Sequence, residues 1–458
     1  MNIFSSIVDF VNSIIWGKNI VVVLLLGAGI FFTLSMKFMQ LRLLKDMFRL
    51  LITNKKDSKS GISSFQAFCV STATRVGAGN LVGVVAALSV GGAGSVFWMW
   101  IVAILGASTA FVESTLAIIF REKDKRGDFV GGAAFYMQKG LNKRWMGILF
   151  VISALICWGG VLQVISNSVT ESFNVAFGID VKMMSIIIAV LTAVIIFGKR
   201  DKTVKVLEKL VPIMSLAYLA IVAFIIIKNI GLLPAVFARI FEEAFGFKQA
   251  LGGAFGAVVM EGVKRGLFSN ESGTGSAPST AASADVDHPA KQGLIQSLGV
   301  YVDTLVICSA TAFVVLLTKE SITQNFKGME LLQEAFRYHV GDWGVIFIAV
   351  VLFLFSFSTA LGITCYAKPN LVFIKDDDRL QTAFKVFACV MLFYGGIKQA
   401  FLVWNLADLG LGLMGIINIF AIIPLRKHAF DSLKDYEVIL GTEKKERELK
   451  VVKVAAKN

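Results

Sequence analysis

Apolar and polar positions along this chain separate into long blocks, not into the narrow stripes of soluble amphipathic helices. Measured against the roughly 20 apolar residues a helix needs to cross a bilayer, eleven runs are read as spans: 20–36, 65–89, 95–120, 146–172, 183–197, 210–227, 250–282, 293–317, 343–367, 383–396 and 401–424. Two of them, 65–89 and 250–282, carry central Gly and Asn clusters where continuous aliphatics would be expected. Residues 262–281 read Gly-Val-Lys-Arg-Gly-Leu-Phe-Ser-Asn-Glu-Ser-Gly-Thr-Gly-Ser-Ala-Pro-Ser-Thr-Ala, which holds too many breakers for one ordinary helix. The pattern predicts broken helices, with unwound backbone near 74–80 and 266–278. Unpaired amides and carbonyls at membrane depth cost several kcal/mol each unless they are buried in protein or line a cavity. The expected occupant of such a cavity is a small polar solute.

Composition changes the picture only by making the setting firm. Hydrophobic residues make up 56% of the 458 and mean hydropathy is +0.73, while charged residues reach only 17%, against roughly a quarter in soluble domains. The formal charge of +13 would suggest nucleic acid in a soluble chain. Here the Lys and Arg residues crowd into 37–59, 121–144, 199–209 and 426–457, between or beyond apolar runs, so orientation and anionic lipid are the better explanation. The mixed-charge loop after the eighth span then reads as external. A multi-pass cell-membrane protein follows, with its amino terminus outside and its carboxyl terminus cytoplasmic. Residues 1–16 are amphipathic without a basic leader, so no cleavable signal is expected. The cysteines, Cys69, Cys157, Cys308, Cys365 and Cys389, sit in apolar segments without metal-type spacing and read as reduced packing residues. No cofactor is implied.

The first span stands apart, and the remaining ten divide into two sets of five that each begin with a broken helix. An odd number of spans per half makes the second half enter from the opposite face. Gly77-Ala78-Gly79-Asn80 in one half echoes Gly273-Thr274-Gly275-Ser276 in the other. Gly-interrupted segments at matching positions of inverted halves point to a transport site near the midplane; glycines that only allow close helix packing are the alternative. The expected organisation is 1–64, an extra helix and basic cytoplasmic loop; 65–227, the first five-helix repeat; 228–249, an external amphipathic loop lying on the membrane or acting as a lid; 250–424, the second repeat; and 425–458, a basic cytoplasmic tail. A channel would need a continuous polar pore, and a membrane enzyme would need a catalytic or metal constellation that the chain does not display.

Four stretches are also familiar together: Thr74 to Asn80, Gly131-Gly132-Ala133-Ala134-Phe135-Tyr136, Gly262 to Pro278, and Phe357-Ser358-Thr359-Ala360-Leu361-Gly362. Over residues 65–424, in the same order, the chain resembles the alanine or glycine:cation symporter family, the sodium:alanine symporters. The resemblance implies an all-α leucine-transporter-like fold, a 5+5 inverted repeat preceded by one helix. It further implies symport of a small neutral amino acid, alanine or glycine first, coupled to sodium by alternating access. Proton coupling or a broader amino-acid range is the alternative. Composition and spacing alone reach only a solute transporter.

A zwitterionic solute wants amides at half-helix starts for its carboxylate and oxygens for its ammonium. Gly77, Gly79, Gly273 and Gly275 permit close backbone approach, with Ala78 beside them, and Asn80, Ser269 and Asn270 offer neutral polar contacts. Gln163 lies on one helix face with Asn167. The resemblance turns Gln163 toward the substrate, while an interhelical hydrogen bond is the other reading. Phe268 either closes the apolar side of the pocket or simply packs. Sodium, a hard cation, takes oxygens. The resemblance pairs Ser358 and Thr359 with carbonyls around Ala73 and Val76, although such hydroxyls also bond the carbonyl one turn back.

Charged residues within the spans are costly and usually paired or functional. Arg75 lies at one break, and Glu261, Lys264, Arg265 and Glu271 lie around the other, in pairings that the sequence leaves open. Asp303 and Asp408 are either ion contacts or structural hydrogen-bond partners. Glu113, near a cytoplasmic end, is expected only to reach the interface, and His288, His339 and His428 are expected in solvated loops. The chain departs from the family pattern at Ala78, where Thr is common, at Ile363, where Trp is common, and at Cys365-Tyr366-Ala367-Lys368, where Tyr-Tyr-Gly-Glu is common. Ile363, four residues from Thr359, removes an indole wall and allows a larger side chain than methyl, unless another helix fills the gap.

Overall fold

The computed structural model describes residues 3–53, 61–198, 200–246, 254–397 and 400–455. Within them all eleven apolar runs fall on helix, and several helices continue past the apolar run into charged residues, as in Arg144–Phe177, Asp342–Ile374 and Ala400–Ala455. Long Lys and Arg stems make such extensions tolerable, because they cover apolar surface while their heads reach water. Among the described residues six helices are long and apolar enough to cross a membrane, or up to eight if each of two bent pairs is one span. The protein is therefore mostly helical and multi-pass.

The first broken helix matches its expectation. Ser64–Arg75 opens on a capping box between Ser63 and Gln66, stops at Arg75, and resumes as Gly79–Gly91 at an angle of 47°. Its restart, Gly79–Gly83, is π-helical, a form found mostly as short segments at functional sites. The second break differs from its expectation. Helix Ala254–Asn270 runs through Lys264, Arg265 and Gly266, so backbone unwinds only from Glu271 to Ala277, and the helix beyond is the single turn Pro278–Ala281. Gly266 is accommodated because it packs flat against Met99, where a Cβ would come within 3.3 Å of the Met99 Cα. Residues 250–253 of the predicted run lie outside the described residues.

Connections hold structure that the apolar pattern did not announce. Glu122–Lys123 pairs antiparallel with Phe129–Val130 and leads into helix Ala133–Leu141. Helix Leu233–Phe245 occupies the amphipathic connection and docks on the start of Gly94–Ile119, where Phe97 meets Phe245 with centroids 4.8 Å apart. His339 is not in a solvated loop: it is buried on helix Gly328–Val340, with Thr318 Oγ1 3.1 Å from its Nε2. His288 instead caps Pro289–Val300 by accepting the Ala290 amide. His428 is likewise helical, edge-on to Phe120. The cysteines are all free. Helices Arg144–Phe177 and Ala400–Ala455 cross at Gly160 and Gly410, each of which presses on the partner backbone so closely that a Cβ could not be added.

Candidate functional site

The two breaks meet beside one small internal cavity. Its apolar wall is one face of Arg144–Phe177, carrying Trp158, Val161 and Ile165, completed by Phe268, Ile363 and Met414. Its polar wall is Thr74, Glu271, Ser276 and Thr359, with Ala78 and Gly79 at the start of the resumed first helix. The unpaired amides of a helix start carry partial positive charge. Of the sequence-derived candidates, Ala78, Gly79, Phe268, Thr359 and Ile363 line this cavity.

Other candidates hold the breaks together instead. Asn80 accepts the Gly77 amide at 2.9 Å and donates to the Asp303 carboxylate at 2.6 Å. Ser269 donates to the same carboxylate at 2.7 Å, and Asn270 donates to the Thr304 hydroxyl at 3.2 Å. Asp303 is thus a buried acceptor between the first break and the π-helical segment Tyr301–Cys308. Gln163 faces away from the cavity: its amide reaches the Gly159 carbonyl at 3.2 Å and Met391 Sδ at 3.4 Å. The reason is helical phase, since a residue two past Val161 is rotated by roughly 200° from the cavity face at 3.6 residues per turn.

Behind Gly77, Ser358 and Thr359 reach across to the first break. The Ala73 carbonyl lies 3.4 Å from Ser358 Oγ and 3.0 Å from Thr359 Oγ1, and both hydroxyls also lie within 3.0 Å of the Phe355 carbonyl. Val76, whose amide bonds the Thr72 carbonyl at 2.6 Å, caps the helix end next to them. Gly77 is required here by proximity, because a Cβ would collide with Thr359 Oγ1.

The second break is held by a residue the sequence reading misjudged. Glu113 does not reach the interface; its side chain is fully buried. Gly273 and Gly275, with φ of 81° and 80°, turn their amides onto its two carboxylate oxygens at 3.2 and 3.1 Å, an anion-binding nest of backbone N–H groups. Asn418 donates to Glu113 at 2.8 Å and to the Gly273 carbonyl at 2.9 Å, and Tyr136 donates to Asn418. The amides expected to face a solute are therefore already satisfied.

Two polar clusters flank the cavity residues Glu271 and Phe268. On one side the Tyr366 hydroxyl donates to Glu271 Oε2 at 3.0 Å and lies 2.5 Å from Thr74 Oγ1, while Ser276 donates to Glu271 at 3.1 Å. On the other, Asp408 binds Lys264 at 2.6 Å and Arg265 at 3.5 Å, and Arg265 also reaches Glu261 at 3.4 Å. The Arg265 guanidinium covers Trp404, which in turn packs on the cavity residue Phe268. Lys368, at a departure from the family pattern, pairs with Asp124 at 3.0 Å in the turn between the two short strands. Thr74, Trp158, Glu271 and Ser276 are cavity residues that the sequence reading did not assign. The spacing of 158, 161 and 165 is helical, yet packing produces the same spacing.

The sodium:alanine symporter family model matches residues 1–451. The chain belongs to this family. It is 45% identical over 436 residues to the probable sodium/glutamine symporter GlnT of Bacillus subtilis, covering 95% of this chain and 91% of that relative. It is 42% identical to the amino-acid carrier protein AlsT of the same organism, over 94% of this chain and 92% of the relative. It is 33% identical to the sodium/alanine symporter AgcS of Methanococcus maripaludis, over 96% and 99%. The family is one of membrane transporters.

Proposed function

We propose that the protein imports a small neutral amino acid, alanine or glycine first, together with sodium, by alternating access in a 5+5 inverted repeat with its amino terminus outside. One observation carries this reading. Thr359 lines the solute cavity and, with Ser358, sits against the Ala73 carbonyl. A sodium ion among these oxygens and the Val76 carbonyl would share Thr359 with the solute's surroundings, so occupancy of one site would bias the other, and the bias would be reciprocal. The solute carboxylate belongs at the Ala78 and Gly79 helix start, because Glu113 already holds the amides of the second break.

Thr359→Ala is expected to raise the sodium concentration for half-maximal uptake about tenfold, the scale of one lost polar contact to a charge, with normal protein abundance. The check is uptake of labelled L-alanine into proteoliposomes under an inward sodium gradient, with potassium and proton gradients run in parallel. Unchanged sodium activation of the variant would remove Thr359 from the ion site, and uptake driven equally by potassium would end the sodium reading.

A second reading, glutamine as the solute, is favoured by the cavity itself. Ile363 leaves room that an indole would take, and the Thr74, Ser276 and Glu271 end could meet a carboxamide; the relative GlnT carries glutamine in its name. Competition against labelled alanine separates the two. Ile363→Trp should narrow the range toward glycine and alanine, cutting glutamine competition about tenfold, since overpacking a filled site costs about 1–3 kcal/mol. An unaltered competition profile would mean that position 363 does not set solute size.

A further inference from the structure

Glu271 is a half-buried carboxylate that lines the cavity. Among the described residues it makes no ion pair. Its hydrogen bonds come from neutral hydroxyls and converge on one oxygen, Oε2, from Tyr366 at 3.0 Å, Ser276 at 3.1 Å and Thr74 at 3.4 Å. The cation within electrostatic reach, Arg75, spends its hydrogen bond on the Gln296 carbonyl at 3.1 Å, and its Nε and Nη2 meet no partner. The backbone at Glu271 is held at φ of 56°, a left-handed conformation uncommon for a non-glycine residue and often found where the surrounding structure aims a functional side chain.

A half-buried carboxylate that lines a small cavity without an ion-pair partner favours a positive group with N–H donors. We propose that Glu271 receives the α-ammonium group of the transported solute. The inference rests on the amino-acid symport reading and deepens it: the carboxylate of the solute meets the Ala78 and Gly79 helix start, and its ammonium meets Glu271 across the same cavity. Tyr366, Ser276 and Thr74 are positioning residues that orient Oε2 and leave the rest of the carboxylate for the ligand.

The test uses full-length protein in proteoliposomes, comparing wild type with Glu271→Gln. The carboxamide oxygen still accepts from Tyr366 and Ser276, so folding is retained while the charge is lost. The KM for L-alanine is expected to rise about 30-fold or more, the loss of one charge-assisted hydrogen bond. The decisive reading is a ratio. L-lactate replaces the ammonium by a hydroxyl, and the preference of the protein for L-alanine over L-lactate in competition should fall at least about tenfold in the variant. A purely structural role would weaken both ligands alike. If Glu271→Gln gives too little flux, Glu271→Asp, which keeps the charge on a shorter arm, should raise the KM while keeping the preference. An unchanged preference in Glu271→Gln, with wild type showing sodium-driven alanine uptake, overturns the ammonium assignment alone. A wild type that accumulates no amino acid with sodium overturns the symport reading beneath it.

Discussion

Glu113→Ala is expected to abolish sodium-driven uptake and to lower the melting temperature of the purified protein by several degrees. The carboxylate has no access to water, and it accepts three hydrogen bonds, from the Gly273 amide, the Gly275 amide and Asn418. Alanine leaves those donors buried without acceptors, at about 1–3 kcal/mol each, so the loss is roughly 3–6 kcal/mol once some relaxation is allowed. Relaxation is limited because Gly273 and Gly275 are already in left-handed conformations, and a Cβ on Gly275 would press on Phe150, Ala133 and Asn418. Glu113→Gln should fall between the two, since one carboxamide oxygen serves at most part of the nest while its NH2 confronts an amide donor. Heating in detergent followed by size-exclusion chromatography measures the shift. A Glu113→Ala protein that melts with wild type would show that the second break does not depend on this carboxylate. The same relay runs through Asn418 to Tyr136, so helix Ala133–Leu141 is tied to the unwound backbone.

The membrane helices were legible because dehydrated length is a local property: an apolar run long enough to span must become helix once its backbone leaves water. Both breaks were legible for the complementary reason, since Gly, Asn and Ser clusters cannot continue that run. The role of Glu113 was hidden because its partners lie 160 and 162 residues away, and nothing in its own neighbourhood marks it as anything but a charge near a helix end. Gln163 is a different case, its amide making the interhelical contact that was one of its two readings. Helix Arg144–Phe177 is apolar nearly all round, so the sequence carries little information on which face meets the cavity. His339 and the short strand pair were missed because polar connections between spans resemble solvated loops whether or not they fold back onto the protein. The start of the second break moved from Gly266 to Glu271 because neighbouring-helix contacts, not local propensity, decide whether a helix survives its glycine.

Asp408→Ala should be nearly as damaging as the loss of Glu113, for a different physical reason. Asp408 is buried and neutralises Lys264 at 2.6 Å while also reaching Arg265 at 3.5 Å; neither cation is freely solvated. Removing the carboxylate leaves buried positive charge uncompensated, which costs about 3–5 kcal/mol for such pairs. Glu261 can compensate Arg265 only in part, because it bonds that guanidinium at 3.4 Å and, among the described residues, forms no ion pair with Lys264. The expected response is therefore movement, not only instability: Lys264 and Arg265 swing toward water and release Trp404 from Phe268, so that this end of the cavity opens. Cys157 lines the cavity and is buried in the closed form, which makes it a native reporter. A water-soluble maleimide, with the modified peptide identified by mass spectrometry, should label Cys157 slowly in wild type and at least about tenfold faster in Asp408→Ala, as the closed population falls by the cost just given. Asp408→Asn keeps a hydrogen-bond acceptor without the charge and should lie between them. Equal labelling of Cys157 in all three proteins would mean that the Lys264, Arg265 and Asp408 cluster stabilises the helices without controlling access to the cavity.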